Sequence, residues 1–151
     1  MYQDEFSKAD LYYVCRFTPG GDADEDYRRH IDGMRAAIKA AAARPEQLTI
    51  VIVQDPGYPA PNAHWRQIVA EMTSHPQFKA TTAIVTSNAL IRGVITALSW
   101  LRPRHYKEEL WADAAAALAW LEKERGRALP ELRACAGRLG VVGEEQRRSA
   151  S

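Results

Sequence analysis

The segment Leu48-Thr49-Ile50-Val51-Ile52-Val53 limits the fold more than any other part of this chain. Every residue after Leu48 is β-branched, and Thr49 alone is polar. Such a run has no polar side to turn to water. It fits a central strand covered on both faces, as strands of parallel sheets are. Thr81-Thr82-Ala83-Ile84-Val85 reads as a second buried strand.

The stretches between these strands carry helical periodicity. Tyr27, Ile31, Met34, Ile38 and Ala41 recur at steps of four and three, one buried stripe of a helix that Asp22 caps. Glu25, three residues on, completes the pattern of a capping box. Asn62 caps a helix whose inner side is Trp65, Ile68, Val69 and Met72, and His75-Pro76 ends it. Thr86-Ser87-Asn88 supplies caps for a helix through Leu101. Asp113 caps an alanine-rich helix containing Leu118, Trp120 and Leu121. Leu11–Phe17 is a strand stopped by Pro19-Gly20-Gly21, with Leu11, Tyr13, Cys15 and Phe17 on one face. Residues 2–8 are either a further strand, paired through an Ala9-Asp10 turn, or a frayed end. Tyr106–Trp111 has the polar content of an edge strand.

Strand and helix thus alternate four times. The order predicts a single α/β domain with a mostly parallel sheet of four to five strands and flanking helices. It should span residues 1–142, with a last helix at about 130–139 and a flexible tail over 143–151.

Composition narrows the function. With 20 basic and 19 acidic residues, the net charge is +1. That leaves no field to collect nucleic acid or an anionic membrane. Acidic residues interleave the C-terminal arginines, so a solvated surface is expected there. No apolar run reaches the ~18 residues of a membrane span, and the acidic start Met1-Tyr2-Gln3-Asp4-Glu5 is unlike a secretion signal. A cytoplasmic protein is expected, with Cys15 and Cys135 as buried free thiols.

The order from Leu48 to Leu121 resembles the STAS fold of anti-anti-sigma factors and sulphate-transporter tails. The features are an apolar strand ending in Asp55, a loop and helix, then Ala83-Ile84-Val85 feeding Leu90-Ile91-Arg92-Gly93-Val94. A short strand then leads into Ala117-Leu118-Ala119-Trp120-Leu121. The likeness extends over about Leu11 to Glu124 and is nearest to stand-alone bacterial members. In anti-anti-sigma members a phosphorylated serine or threonine follows the aspartate. Here Asp55-Pro56-Gly57 stands in its place, and no serine or threonine occurs up to His64. The resemblance therefore implies a non-enzymatic regulatory module that presents a face to a protein partner or to its own copy. A small-ligand carrier or sensor is the alternative.

Two faces are candidates for a partner. On the helix from Asn88 to Leu101, Leu90, Ile91, Val94, Ile95, Leu98 and Leu101 cover an arc of about 140°. Gly93, Ala97 and Trp100 lie on the flank opposite, a small-small-aromatic stripe that a helix could meet. The stiff loop Tyr58-Pro59-Ala60-Pro61, followed by Trp65, is the second. A ligand would sit outside the strand ends, around Asp55 and Ser87, with Arg66 or Arg92 one turn inside a helix start to pair an anion. No catalytic residue is assigned: Asp55 and His64 lack a third group to orient them, and Ser87, outside any Gly-x-Ser-x-Gly, reads as a helix cap. His30, His64, His75 and His105 have no metal-ligand spacing and read as surface or loop residues. No cofactor is expected.

Overall fold

A computed structural model of the chain describes the backbone of residues 1–101 and 105–141, with side chains for 1–97 and 105–141. Residues 2–8, left open by the sequence, hold a strand. β1 (Tyr2–Ser7) runs antiparallel to β2 (Tyr12–Phe17), with Tyr2 opposite Phe17. In the turn, Ser7 Oγ accepts the Asp10 N–H at 3.1 Å. Leu11 takes φ 51°, a conformation that costs a side-chain-bearing residue ~1 kcal/mol. Its burial to 3% exposure offsets that cost.

From β2 onward the strands pair in parallel and in chain order. β3 (Thr49–Gln54), β4 (Thr81–Thr86) and β5 (Glu108–Trp111) complete a five-stranded mixed sheet ordered β1-β2-β3-β4-β5. Val14 pairs with Val51, Val51 with Ala83, and Ile84 with Leu110. β5 is an edge, as its polar content predicts, and β1 is the other edge.

The helices are α1 (Ala23–Ala40), α2 (Ala63–Ser74), α3 (Ala89–Leu101), α4 (Ala114–Arg125) and α5 (Pro130–Arg138). Each expected cap forms. Asp22 accepts from Glu25 N, Asn62 from Trp65 N, Asn88 from Leu90 N and Ile91 N, and Asp113 from Ala115 N and Ala116 N. The capping box at α1 is half made, because the Glu25 carboxylate turns outward to Arg28.

Alternation along β2 builds two cores. Leu11, Tyr13, Cys15 and Phe17 join Tyr27 and Met34 of α1 on one side. Tyr12 and Val14 join Leu118 and Leu121 of α4 and Leu132 and Cys135 of α5 on the other. The two cysteines are free, buried, and separated by the sheet.

Two expectations about helix faces need correction. No residue of α2 is fully buried; Trp65, Ile68, Val69 and Met72 are only half covered. On α3, Leu90 is 69% exposed instead of facing the core, while Ile91 is 2% exposed. Successive helical residues differ by about 100°, so seating Ile91 inward turns Leu90 out.

Two arginines tie the chain across long sequence distances. Arg16 Nε and Nη2 donate to Asp55 at 3.0 and 2.7 Å, and Nη1 donates to the Leu139 carbonyl at 2.8 Å. Arg125 donates to the carbonyls of Glu46 and Leu48 and to Thr49 Oγ1. Bidentate, charge-assisted and partly shielded from water, the Arg16–Asp55 pair stabilises more than a surface pair does. Asp55→Ala should therefore lower stability in urea unfolding by about 1–3 kcal/mol. A loss below about 0.5 kcal/mol, as at an ordinary surface position, would contradict that role.

Candidate functional site: an apolar cavity between the sheet and three helices

α1, α2 and α3 share one face of the sheet, but they do not fill it evenly. α1 brings large side chains over β1 and β2. α2 brings Ala70, Thr73 and Ser74 over β3 and β4. These small residues leave a partly enclosed cavity of about 180 Å³. Its floor is Phe17, Ile52, Gln54, Thr82 and Ile84. Tyr27, His30 and Met34 of α1, Val69 of α2, and Ile91, Val94 and Ile95 of α3 form its walls. Phe78 and Tyr106, edge to face with centroids 4.6 Å apart, lie at the end where β4 begins.

Most polar groups on this lining are already engaged. Gln54 Nε2 donates to the Tyr27 hydroxyl at 3.0 Å, which donates in turn to the Pro59 carbonyl at 2.9 Å. Thr73 Oγ1 donates to the Val69 carbonyl, and Arg66 Nη1 to the Pro61 carbonyl, each at 2.8 Å. Thr82 differs. It is 3% exposed, and its Oγ1 is buried without a hydrogen-bond partner. An unpaired buried hydroxyl costs ~1–3 kcal/mol. One other buried side-chain atom among the described residues is in this condition, Trp111 Nε1, which belongs to the opposite layer beside Trp120.

His30 corrects the reading of the histidines as surface groups. It is 5% exposed, because position 30 falls on the same stripe as Tyr27 and Met34. Its Nδ1 lies 3.4 Å from the Tyr2 hydroxyl and 3.6 Å from Cys15 Sγ. The Tyr2 and Tyr13 hydroxyls share a hydrogen bond, and both lie 3.2 Å from Asp4 Oδ2, which accepts the proton that bond leaves over. Burial pushes the His30 imidazole down to about 4, so it is neutral at pH 7. Burial also raises the Cys15 thiol, which stays protonated and is a poor nucleophile.

The proline loop does not present its tyrosine. Tyr58 is 2% exposed and donates to Asp26 Oδ2 at 2.7 Å, so it cannot serve as a docking aromatic. Asp26, at the start of α1, is buried and needs this partner; it also pairs with the Met1 amino group at 3.0 Å. A carboxylate among three near a helix start gave no sign in the sequence that it alone would be covered. Pro59 is exposed. Trp65 is half-buried, stacked on Tyr27 with centroids 6.4 Å apart, and its Nε1 donates to Asp24 at 2.8 Å.

The ligand candidates separate as well. Asp55 is held by Arg16, Ser87 is exposed, and Arg92 is not on the cavity lining; Arg66 is. The pocket therefore lies under the helices and not around Asp55 and Ser87. A crevice outside strand ends needs the strand order to reverse, and here it never does. No hydrogen bond among the described residues joins Asp55, His64 and Ser87. Gly93 and Ala97 are exposed on α3, and the Trp100 side chain lies outside the described residues, as do Arg102, Arg104 and the stretch 143–151. Among the described residues no cluster of His, Cys, Asp and Glu gathers to hold a metal, and no helix is long and apolar enough to cross a membrane.

The His30 environment makes stability depend on pH. The folded value near 4 lies below the ordinary 6.5, so the unfolded chain binds the proton more readily. This contribution is complete above pH 6.5 and is lost as pH falls toward 4. Between pH 7.5 and 5 it should remove about 2 kcal/mol, measured by urea unfolding. A His30→Gln variant should lack that part of the pH dependence; an unchanged profile would contradict a buried neutral imidazole. Compared with known proteins, the chain matches no family model, no curated protein and no solved structure, so its functional reading rests on this geometry.

Proposed function

We propose that this chain is a small-ligand carrier or sensor, binding a mostly apolar molecule in the cavity under α1, α2 and α3. The supporting observation is an apolar space of about 180 Å³ lined in part by Thr82, whose buried hydroxyl has no hydrogen-bond partner. An apolar cavity of roughly 150 Å³ already admits a benzene-sized guest. Binding there needs no catalytic group, in keeping with a neutral His30 and a protonated Cys15.

A protein partner is the second reading, and one observation favours it. Leu90, Gly93 and Ala97 are spaced i, i+3 and i+7, and all three are exposed on the outer side of α3. Ile91, Val94 and Ile95 of the same helix face the cavity. α3 therefore touches both a ligand and any partner docked outside it. A STAS-like fold without a phospho-acceptor belongs to the same proposal, supported by the alternation of elements from Leu48 to Leu121.

Filling the space tests the first reading. Ala70→Phe should abolish the thermal stabilisation that small aromatic compounds give the wild type, which at 100-fold over Kd is about 2.7 kcal/mol. Equal stabilisation of variant and wild type would place binding elsewhere. Leu90→Asp tests the second. Light scattering should show loss of self-association or of a co-purified partner with no change in the circular dichroism spectrum. A complex that survives the substitution would rule this face out.

A further inference from the structure

The cavity is not chemically uniform, and its polar end sets what it should hold. Thr82 opens the sheet-floor side of the site near the start of β4, in register with Glu108 of β5. Its backbone N–H is used, donating to the Lys107 carbonyl at 2.8 Å, whereas its Oγ1 has no partner. The alternation of β4 sets which face of the sheet the Thr82 side chain is on. Ala83 and Val85 belong to the opposite core, so Thr82 and Ile84 face the cavity, and both line it. A hydroxyl can donate one hydrogen bond and accept others, and here it does neither. Aromatic rings lie near it at the Phe78–Tyr106 end, and Phe17 and Tyr27 line the rest of the space.

We infer that the ligand is a single-ring aromatic molecule carrying one uncharged hydrogen-bonding group, a phenol or aryl alcohol in chemical class, and that Thr82 Oγ1 binds that group. This rests on the cavity being the binding site. The volume admits an aromatic ring with a small substituent. The rings of the lining offer edge and face contacts to a flat guest. An anionic group is disfavoured at this end, because Glu108, in register with Thr82, also lines the cavity. Arg66, the cation on the lining, is tied to the Pro61 carbonyl.

The test uses two near-isosteric probes, p-xylene and p-cresol, which differ by a methyl in place of a hydroxyl. Their Kd values are measured by isothermal titration calorimetry on the full chain and on Thr82→Val, which keeps the shape and removes the hydroxyl. The ratio of the two affinities cancels general changes in packing. Thr82→Val should shift that ratio at least tenfold toward p-xylene, and Thr82→Ser, which keeps a hydroxyl, should hold the wild-type ratio. If both probes bind and the ratio is the same in Thr82→Val, Thr82 does not read the polar group, and the inference fails while the cavity remains a binding site. If neither probe binds the wild type, the cavity reading fails and takes this inference with it. Binding of p-toluate more tightly than p-cresol would also overturn the inference, by showing that the site prefers an anion.

Discussion

The parallel pairing of β2, β3, β4 and β5 in chain order is the constraint from which the rest of the molecule follows. Connections between parallel neighbours are right-handed almost without exception. When the strand order never reverses, successive crossovers must pass over the same face. Hence α1, α2 and α3 share one layer, and the opposite face is left to α4 and α5, which come after the last strand. The antiparallel β1 extends the sheet beyond β2 without needing a crossover.

That arrangement also moves the place where a ligand can sit. Doubly wound sheets bind ligands where neighbouring loops diverge to opposite faces. Here the loops run the same way, and the Arg16–Asp55–Leu139 bridge closes the strand ends instead. Space is found in the helical layer because its two halves differ in side-chain size. Tyrosines, phenylalanine and methionine pack tightly between α1 and the first strands. Alanine, serine and threonine on α2 leave room over β3 and β4. Protein interiors are otherwise packed without gaps of this size, so an unfilled region marks a departure from ordinary core building.

Much of the fold could be read in the sequence, because its signals were local. The strand at Leu48–Val53, the stripe of α1 and the capping residues Asp22, Asn62 and Asp113 each depend on neighbours within a few positions. What could not be read depended on partners far along the chain. Tyr58 looks like a loop aromatic until α1 places the Asp26 carboxylate beside it, 32 positions away. His30 looks like one of four scattered histidines until β1 and β2 bring Tyr2 and Cys15 to its ring. Leu90 and Ile91 are equally apolar, and only the rotation of α3 on the sheet decides which is covered. The site was harder still. Thr82 is one of several threonines in an apolar strand, and nothing local distinguishes a hydroxyl that has a partner from one that lacks it.

The two cysteines carry a consequence for how the protein can be watched in solution. Cys15 and Cys135 are both 0% exposed, yet they belong to cores on opposite sides of the sheet. Neither can reach an alkylating reagent until its own layer opens. Their separate modification rates therefore time the opening of the α1–α3 layer and of the α4–α5 layer independently, within one unaltered chain. A guest held under α1–α3 would slow the first clock and leave the second running at its former pace.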